Sequence, residues 1–233
     1  MENQLSHIEA KIGYFFKDKA LLRQALTHRS FVSETEGEEL DNENLEFLGD
    51  AVLELIISDM LFRQFSDSFR EGDLTKMRAY LVSEPRLVDR AKALDLGSGL
   101  RLSRGEEKSG GRNRPSILAD AFEAVTGAIY LDGGFEAVSS FLRDQFGSLV
   151  ESAPGKGLLI DYKSRLQELT QKRFHFIPTY KLIDVSGPEH NRFFRVGLFL
   201  EERQISHGSG RTKKEAEQQA AKAAIRNLEG FTL

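Results

Sequence analysis

The sequence predicts a multidomain protein in which an all-α domain is followed by a small α+β domain with the element order α-β-β-β-α. Three observations predict this fold class. Apolar residues recur at helical spacing through the first 150 of 233 residues, strand-like alternation follows position 178, and a short polar connector lies between the two patterns. We therefore expect domains at residues 1–150 and 161–230, joined by a linker at 151–160.

The N-terminal domain is predicted to be nearly all helical, because no convincing alternating stretch interrupts its helical periodicity. The predicted helices cover residues 20–26, 45–62, 74–82, 86–94, 117–131 and 135–149. The segment from Glu151 to Gly157 follows them and combines small, polar and helix-breaking residues without periodicity. Such a composition is typical of an exposed connector, so it marks the domain boundary.

The C-terminal domain begins and ends with predicted helices, at 162–173 and 213–228, and has predicted strands at 178–183, 192–200 and 202–207. Thr212 and Glu215 have the spacing of a capping box that opens the last helix. A stripe of small residues on that helix permits close approach to a sheet: Ala216, Ala220, Ala223 and Ala224. Gly208–Gly210 is predicted to be a turn. It lacks the Gly-Lys-Ser/Thr of a phosphate loop, so we expect no nucleotide cofactor.

Composition excludes several function classes. The chain has no cysteine, which rules out disulfides, thiolate nucleophiles and iron-sulfur clusters and fits a reducing compartment. The first 13 residues do not resemble a signal peptide. The longest apolar stretch, Ala51–Ile57, contains Glu54 and is too short to cross a bilayer. We expect a cytoplasmic protein with no membrane partner.

Charge is distributed unevenly along the chain. Residues 155–233 contain 14 Lys and Arg against 9 Asp and Glu, whereas residues 1–154 contain 18 against 27. The basic part is suited to a polyanionic partner, and the acidic part would repel that partner unless metal ions covered its carboxylates.

Carboxylates on one predicted helix form a column. At about 100° per residue, Glu43, Glu46 and Asp50 fall within a wedge of about 60°. Like charges at this spacing destabilise an isolated helix, and the neighbouring positions are apolar. We therefore expect a positive group to face the column.

A second apolar helix has the same arrangement, with Asp120 and Glu123 one turn apart. If the two helices pack face to face, their oxygen atoms form a site suited to Mg²⁺ or Mn²⁺. The alternative is that these residues form ordinary solvated helix faces, which is the usual interpretation of a single acidic pair.

The carboxylate segments belong to motifs that resemble those of bacterial ribonuclease III, an endoribonuclease specific for double-stranded RNA. The similar segments are 25–30 (ALTHRS), 42–53 (NENLEFLGDAVL), 108–111 (KSGG) and 116–120 (SILAD), and the resemblance spans nearly the whole chain. It implies that Glu46, Asp120 and Glu123 ligate a divalent metal ion. It also implies that Asp50 and Glu123 are closest to catalysis.

The same resemblance assigns further positions. Glu43 and Glu71 are similar to acidic residues that assist cleavage or contact the substrate, and Asn44 stands where the family usually has arginine. Phe47 resembles an aromatic knob at the subunit interface, although a core phenylalanine is the alternative at this stage. A two-fold homodimer is expected on independent grounds, because it presents one acidic site to each strand of a duplex.

Residues 161–229 resemble a double-stranded RNA-binding domain. The polar stripe of its first helix, expected to touch ribose hydroxyls, is formed by Ser164, Gln167, Glu168 and Gln171. His190 lies in the loop where the family makes a minor-groove contact. Arg211, Lys213 and Lys214 surround the start of the last helix, where backbone N–H groups favour an anion. Such a module recognises the shape of A-form RNA over about 16 base pairs.

We therefore predict an endoribonuclease that uses Mg²⁺, with Mn²⁺ as a substitute, to hydrolyse phosphodiesters in double-stranded RNA. The resemblance implies 5′-phosphate and 3′-hydroxyl ends, short 3′ overhangs, and substrates among ribosomal RNA precursors and structured messenger RNA. Two alternatives remain. A non-catalytic duplex-RNA binder would need only residues 155–233, and a structural helical dimer would carry its acidic surface incidentally.

Overall fold

The structure, a computed structural model, describes residues 2–35, 39–155, 162–188 and 192–229. The chain divides into two compact units, Met1–Leu158 and Leu159–Leu233. A helical unit is followed by a unit of three antiparallel strands with flanking helices, which confirms the predicted fold class.

The first unit consists of helices joined by short loops. These are α1 (Glu2–Ile12), α2 (Lys19–Ala25), α3 (Arg29–Glu34), α4 (Glu43–Phe65), α5 (Glu71–Leu81), α6 (Glu84–Ala93), α7 (Leu96–Gly99), α8 (Arg104–Lys108) and α9 (Pro115–Ser152). The sequence pattern did not identify α1, α3, α7 or α8. The last three have only four to six residues, too few to repeat the helical period.

Helix α9 contains both of the helices predicted at 117–131 and 135–149. They are separated, as predicted, by a break at Gly134, whose backbone is non-helical with φ at 75° and ψ at −172°. This conformation is accessible to glycine. Beside the kink, the Asp132 carboxylate accepts hydrogen bonds from the Tyr14 hydroxyl at 2.6 Å and the Asp18 backbone N–H at 2.8 Å. These bonds attach the segment between α1 and α2 to the kink.

Helices α4 and α9 form the centre of the first unit. Leu53 and Ile57 of α4 and Phe122 and Val125 of α9 are fully buried. Burying each such side chain contributes roughly 1.5–3 kcal/mol to folding. The apolar faces of these helices therefore fix the position of their polar residues relative to one another.

The second unit contains α10 (Tyr162–Phe174), β1 (Thr179–Ser186), β2 (Phe193–Leu200), β3 (Arg203–Gly210) and α11 (Lys213–Glu229). The sheet is antiparallel in the order β1-β2-β3, with a register shift between Leu182 and Asp184. Leu166 of α10 and Leu198 of β2 pack with Ala220 of α11 in the core.

Strand β3 corrects one expectation, because it continues through Gly208–Gly210, which was predicted to be a turn. Gly208 lies so close to α11 that a Cβ atom there would be 2.2 Å from the Ala220 backbone nitrogen. The small-residue stripe permits this approach: Ala216, Ala220 and Ala224 are fully buried. Ala223, predicted to belong to the stripe, is only partly buried.

The predicted cap of α11 is present with one difference. Thr212 Oγ1 accepts a hydrogen bond from the Glu215 N–H at 3.1 Å. The Glu215 carboxylate accepts from the backbone N–H of Arg211 at 2.8 Å, one residue before the expected partner. Among the residues described, no helix combines the length and the apolar composition that a bilayer crossing requires.

Candidate functional site

Carboxylates from α4 and α9 meet where these two helices pack. Glu46, Asp120 and Glu123 each place one carboxylate oxygen within 4.8 Å of the other two, and all three side chains are partly buried. We refer to these three residues as the carboxylate cluster. The structure thus brings together the three residues that the family resemblance implies as metal ligands.

Two glycines allow the helices to approach this closely. A Cβ atom on Gly49 would lie 1.8 Å from the Glu123 carbonyl oxygen, and one on Gly127 would lie 2.3 Å from the Leu45 carbonyl oxygen. Each distance is far inside van der Waals contact, so neither position admits another residue without moving the helices apart. Sequence reasoning missed these glycines. They could have been found from their positions inside predicted helices. Glycine costs about 1 kcal/mol there relative to alanine, so its presence indicates that close packing requires it.

The carboxylate cluster is electrostatically unfavourable without a counterion. Burial raises the pKa of Glu123 from 4.5 to about 8, with further contributions from the charges of Asp50, Glu46 and Asp120. Burial also raises the pKa of Glu46, and the Asp120 charge adds to this effect. The pKa of Asp120 is raised chiefly by burial. A cation between these oxygens would remove the repulsion.

The donor set fits a hard divalent cation. The cluster offers carboxylate oxygens, the ligands that such cations prefer, and partial exposure leaves room for water and substrate oxygens in the remaining coordination positions. Glu46, Asp120 and Glu123 are the residues that would hold the ion.

The other predicted acidic residues lie outside the cluster. Asp50 is exposed, and its charge is the first among those that raise the pKa of Glu123. Glu43 is exposed and forms an ion pair with Arg29 at 3.2 Å. Glu71 begins α5 and lines a groove between α4 and α5 instead of joining the cluster.

Phe47 is on the surface of α4 with 80% of its area exposed, so the alternative of a core phenylalanine is wrong. Leu55 and Phe62 on the same helix are 57% and 63% exposed. Both line the groove between α4 and α5, which has a volume of about 610 Å³. Sequence reasoning did not identify this groove, because helical periodicity alone cannot distinguish an apolar residue that faces the core from one that faces a partner.

A polar groove of about 640 Å³ lies between α10 and the start of α11. It is lined by Lys163, Ser164, Gln167, Lys213, Lys214, Glu217 and Gln218. Four of these were predicted to contact RNA, and Lys163 was missed. Lys163 forms an ion pair with Glu217 at 2.7 Å and is 4.7 Å from the centre of the Tyr180 ring.

The other predicted RNA contacts that the structure describes are outside the lining of this groove. Gln171 and Arg211 are exposed elsewhere on the unit, and Glu168 is partly buried. His190 lies outside the residues that the structure describes.

Two family models match the chain. The Ribonuclease-III-like family matches residues 18–148, and the double-stranded RNA binding motif matches residues 162–228. Ribonuclease 3 of Desulforamulus reducens is 50% identical over 231 residues, with 99% of this chain and 94% of that protein covered. Ribonuclease 3 of Listeria monocytogenes is 46% identical over 228 residues, with 97% and 98% covered.

Solved structures support the same assignment. A nuclease domain of ribonuclease III from Campylobacter jejuni matches with a TM-score of 0.58 and 44% identity, covering 62% of this chain and 96% of that one. That structure is described as showing flexibility in a region involved in dimer formation. The family models, the full-length relatives and the carboxylate cluster agree: the chain belongs to the ribonuclease III family and is an endoribonuclease that acts on double-stranded RNA.

Proposed function

We propose that this endoribonuclease uses Mg²⁺ held by Glu46, Asp120 and Glu123, with Mn²⁺ able to substitute. The observation that carries the proposal is the convergence of three partly buried carboxylates within 4.8 Å. The raised pKa of Glu123 is consistent with this, because burial and the charges of the neighbouring carboxylates both disfavour its ionised form, and a bound cation would favour that form.

Mg²⁺ bound there would supply a water of lowered pKa and neutralise charge that develops on the phosphate. Asp50 lies on the exposed side of the site, where its carboxylate can accept a hydrogen bond from the attacking water. Glu123 would have two roles, because it would ligate the ion and also contact the attacking water. Attack at phosphorus with loss of the 3′-oxygen leaves a 5′-phosphate and a 3′-hydroxyl, and the departing oxygen takes up one proton. Glu43 and Glu71 are proposed to assist cleavage or contact the substrate.

Recognition of the duplex is assigned to residues 161–230, the proposed double-stranded RNA-binding domain. Lys213 and Lys214 would bind phosphates beside the N-terminus of α11, while Ser164 and Gln167 reach ribose hydroxyls across the same groove. Outside this groove, the proposal keeps Glu168, Gln171, His190 and Arg211 as further contacts. We propose a nuclease domain at 1–150 and a linker at 151–160, the first two residues of which form the end of α9.

We further propose a homodimer in which Phe47 enters a partner subunit's groove. Phe47 has 80% of its surface in water and shares helix α4 with the exposed Leu55 and Phe62, and several exposed apolar side chains on one helix are typical of an interaction surface. Leu55 and Phe62 provide an exposed apolar groove on the same helix, so one surface contains both a knob and a receptor. Such a self-complementary surface fits a two-fold interface, which would present one site to each RNA strand. The cellular role we propose is processing of ribosomal and messenger RNA in the cytoplasm.

A cleavage assay on duplex RNA, with and without Mg²⁺, tests the proposal. We expect cutting only with the metal, and ends that a 5′-phosphate-dependent exonuclease accepts. Asp50→Asn and Glu123→Gln should each lower turnover by at least about 100-fold with duplex binding retained. Glu54→Gln is the matched control, because Glu54 is on the same helix, one turn beyond Asp50, and outside the cluster.

Three outcomes would contradict the proposal. Duplex binding without Mg²⁺-dependent cutting would favour the non-catalytic RNA-binding alternative. Unchanged activity in both variants would favour the structural alternative, in which the acidic surface is incidental. Equal loss of binding and turnover would count against the assigned roles of Asp50 and Glu123.

A further inference from the structure

Arg29 lies at the rim of the carboxylate cluster. Its Nη1 donates a hydrogen bond to Glu43 Oε1 at 3.2 Å, and the two side chains are 72% and 55% exposed. A guanidinium has five N–H donors, and this contact uses one of them. Most of the Arg29 side chain is exposed to solvent.

The charge of Arg29 also acts on carboxylates of the cluster. Burial raises the pKa of both Glu46 and Asp120, and the Arg29 charge opposes the increase in each case. Independently of these shifts, Glu43, the ion-pair partner of Arg29, is one helical turn before Glu46 on α4, which places the guanidinium beside the cluster. No individual role for Arg29 was predicted from the sequence.

The backbone around Arg29 is fixed relative to the start of α4. The His28 N–H donates to the Arg101 carbonyl at 3.0 Å, and the Asn42 N–H donates to the Thr27 carbonyl at 2.9 Å. Asn42 is 2% exposed and immediately precedes Glu43. Arg29 and Glu43 thus extend from neighbouring anchored segments, so their pairing does not depend on a mobile loop.

The site needs such a cation. Glu43 and Asp50 add two exposed carboxylates to the three of the cluster, and this set repels a phosphodiester at the solvent side. A divalent ion compensates only the inner carboxylates. An arginine at the rim can bind phosphate oxygens through two parallel N–H groups and fix the strand geometrically as well as attract it.

We propose that Arg29 is a substrate-positioning residue that binds a phosphate of the RNA strand lying over the carboxylate cluster. Glu43 orients the guanidinium, and the donors not bound to Glu43 contact the phosphate. This inference rests on the proposed function.

The test uses the full-length protein with Arg29→Ala, Arg29→Lys and a control, Arg63→Ala. Arg63 is a matched control because it is 74% exposed and pairs with Asp59 on α4, about 30 Å along the helix from Glu43. Cleavage of a duplex RNA is measured at several salt concentrations, and unfolding temperature is measured with and without Mn²⁺.

We expect Arg29→Ala to lower kcat/KM by about 10- to 100-fold, as for loss of a charged hydrogen bond. The slope of log KM against log salt concentration should decrease by the amount expected for roughly one phosphate contact. The stabilisation by Mn²⁺ should be retained. Arg29→Lys should restore the salt dependence but only part of the rate, because lysine lacks the forked geometry. Arg63→Ala should behave as the unmodified protein.

A second variant excludes the possibility that Arg29 only neutralises Glu43. On the proposal, Arg29→Ala lowers kcat/KM by a similar factor when introduced into Glu43→Gln. No further loss in that background would overturn the inference, as would an unchanged salt dependence or an equal effect of Arg63→Ala. Loss of Mn²⁺ stabilisation in Arg29→Ala would also overturn it, because the residue would then act on the metal site. In all these cases Mg²⁺-dependent cleavage by the unmodified protein would still support the proposed function.

Discussion

Replacing Glu123 by glutamine should stabilise the metal-free protein and remove its stabilisation by divalent cations. Glutamine keeps the size of the side chain but cannot ionise, so it removes one charge from a cluster of like charges. The same change deletes one of the three proposed ligands. Stability and metal binding are therefore expected to move in opposite directions, which a merely damaged fold would not produce.

The pKa of Glu123 sets the direction and the pH window. Because the folded-state pKa is raised to about 8 from 4.5, the folded protein holds a proton that the unfolded chain releases near pH 4.5. The stability contributed by this proton is fully present below about pH 4.5 and is lost as pH rises through about 8. Ionising a fully enclosed group with this pKa would cost about 5 kcal/mol.

Glu123 is partly exposed, and screening by solvent reduces this cost to about 2 kcal/mol. At pH 8.5 without metal, Glu123→Gln should therefore unfold about 4–8 °C above the unmodified protein. At pH 5 the difference should be small. A hundredfold excess of Mn²⁺ over its dissociation constant should add about 2.7 kcal/mol to the unmodified protein and almost nothing to the variant.

Thermal unfolding followed by circular dichroism, at both pH values and with either chelator or Mn²⁺, checks these numbers. Glu54→Gln on the same helix is the control and should match the unmodified protein in all four conditions. An unfolding temperature that falls in Glu123→Gln without metal, or an undiminished response to Mn²⁺, would refute the reasoning.

Three other changes test separate parts of the structure. Gly49→Ala should lower stability by about 3 kcal/mol or more and weaken the Mn²⁺ response, because its Cβ would lie 1.8 Å from a backbone oxygen of α9. Gly147→Ala is the control, because Gly147 lies in α9 where an added Cβ atom would meet open space, and this change should be neutral or stabilising. Equal effects of the two substitutions would contradict the packing argument. Phe47→Ala should shift sedimentation toward monomer with little loss of monomer stability, and an unchanged oligomeric state would exclude Phe47 from the interface. Replacing Lys213 and Lys214 by alanine should reduce the salt dependence of duplex binding by roughly two phosphate contacts, and an unchanged slope would oppose their role.

Helical geometry predicted which carboxylates could share a site, and the family resemblance selected from them the three residues of the carboxylate cluster. One-turn spacing of Asp120 and Glu123 on an apolar helix, and of Glu43 and Glu46 on another, indicates which carboxylates share a face. The same regularity does not reveal how closely two helices approach. That distance depends on Gly49 and Gly127, whose missing side chains admit the neighbouring backbone, and it became evident only from the packed structure.

In the second unit, the sequence pattern assigned the wrong local structure to one segment. Gly208–Gly210 has the composition of a turn, yet it continues β3 because the sheet packs directly on the alanine face of α11. Local composition describes what a segment prefers in isolation. Tertiary contact with Ala220 overrides that preference and selects glycine for its small size.

The sequence pattern also could not predict which side chains surround the site or which of them are exposed. Phe47 lies between positions that face the core, and only its 80% exposure in the folded chain distinguishes it from them. Arg29 and Glu43 are 14 residues apart and meet because separate loop hydrogen bonds hold their segments together. Contacts of this kind depend on chain topology and have no local signature.

Anomalous diffraction from crystals soaked in Mn²⁺ tests the central claim most directly. The account predicts a manganese peak bonded directly to carboxylate oxygens of Glu46, Asp120 and Glu123, in a site shared by α4 and α9. The same soak of Glu123→Gln should show a weaker peak or none. A strong peak elsewhere, with these three carboxylates free of manganese in the unmodified protein, would contradict the account.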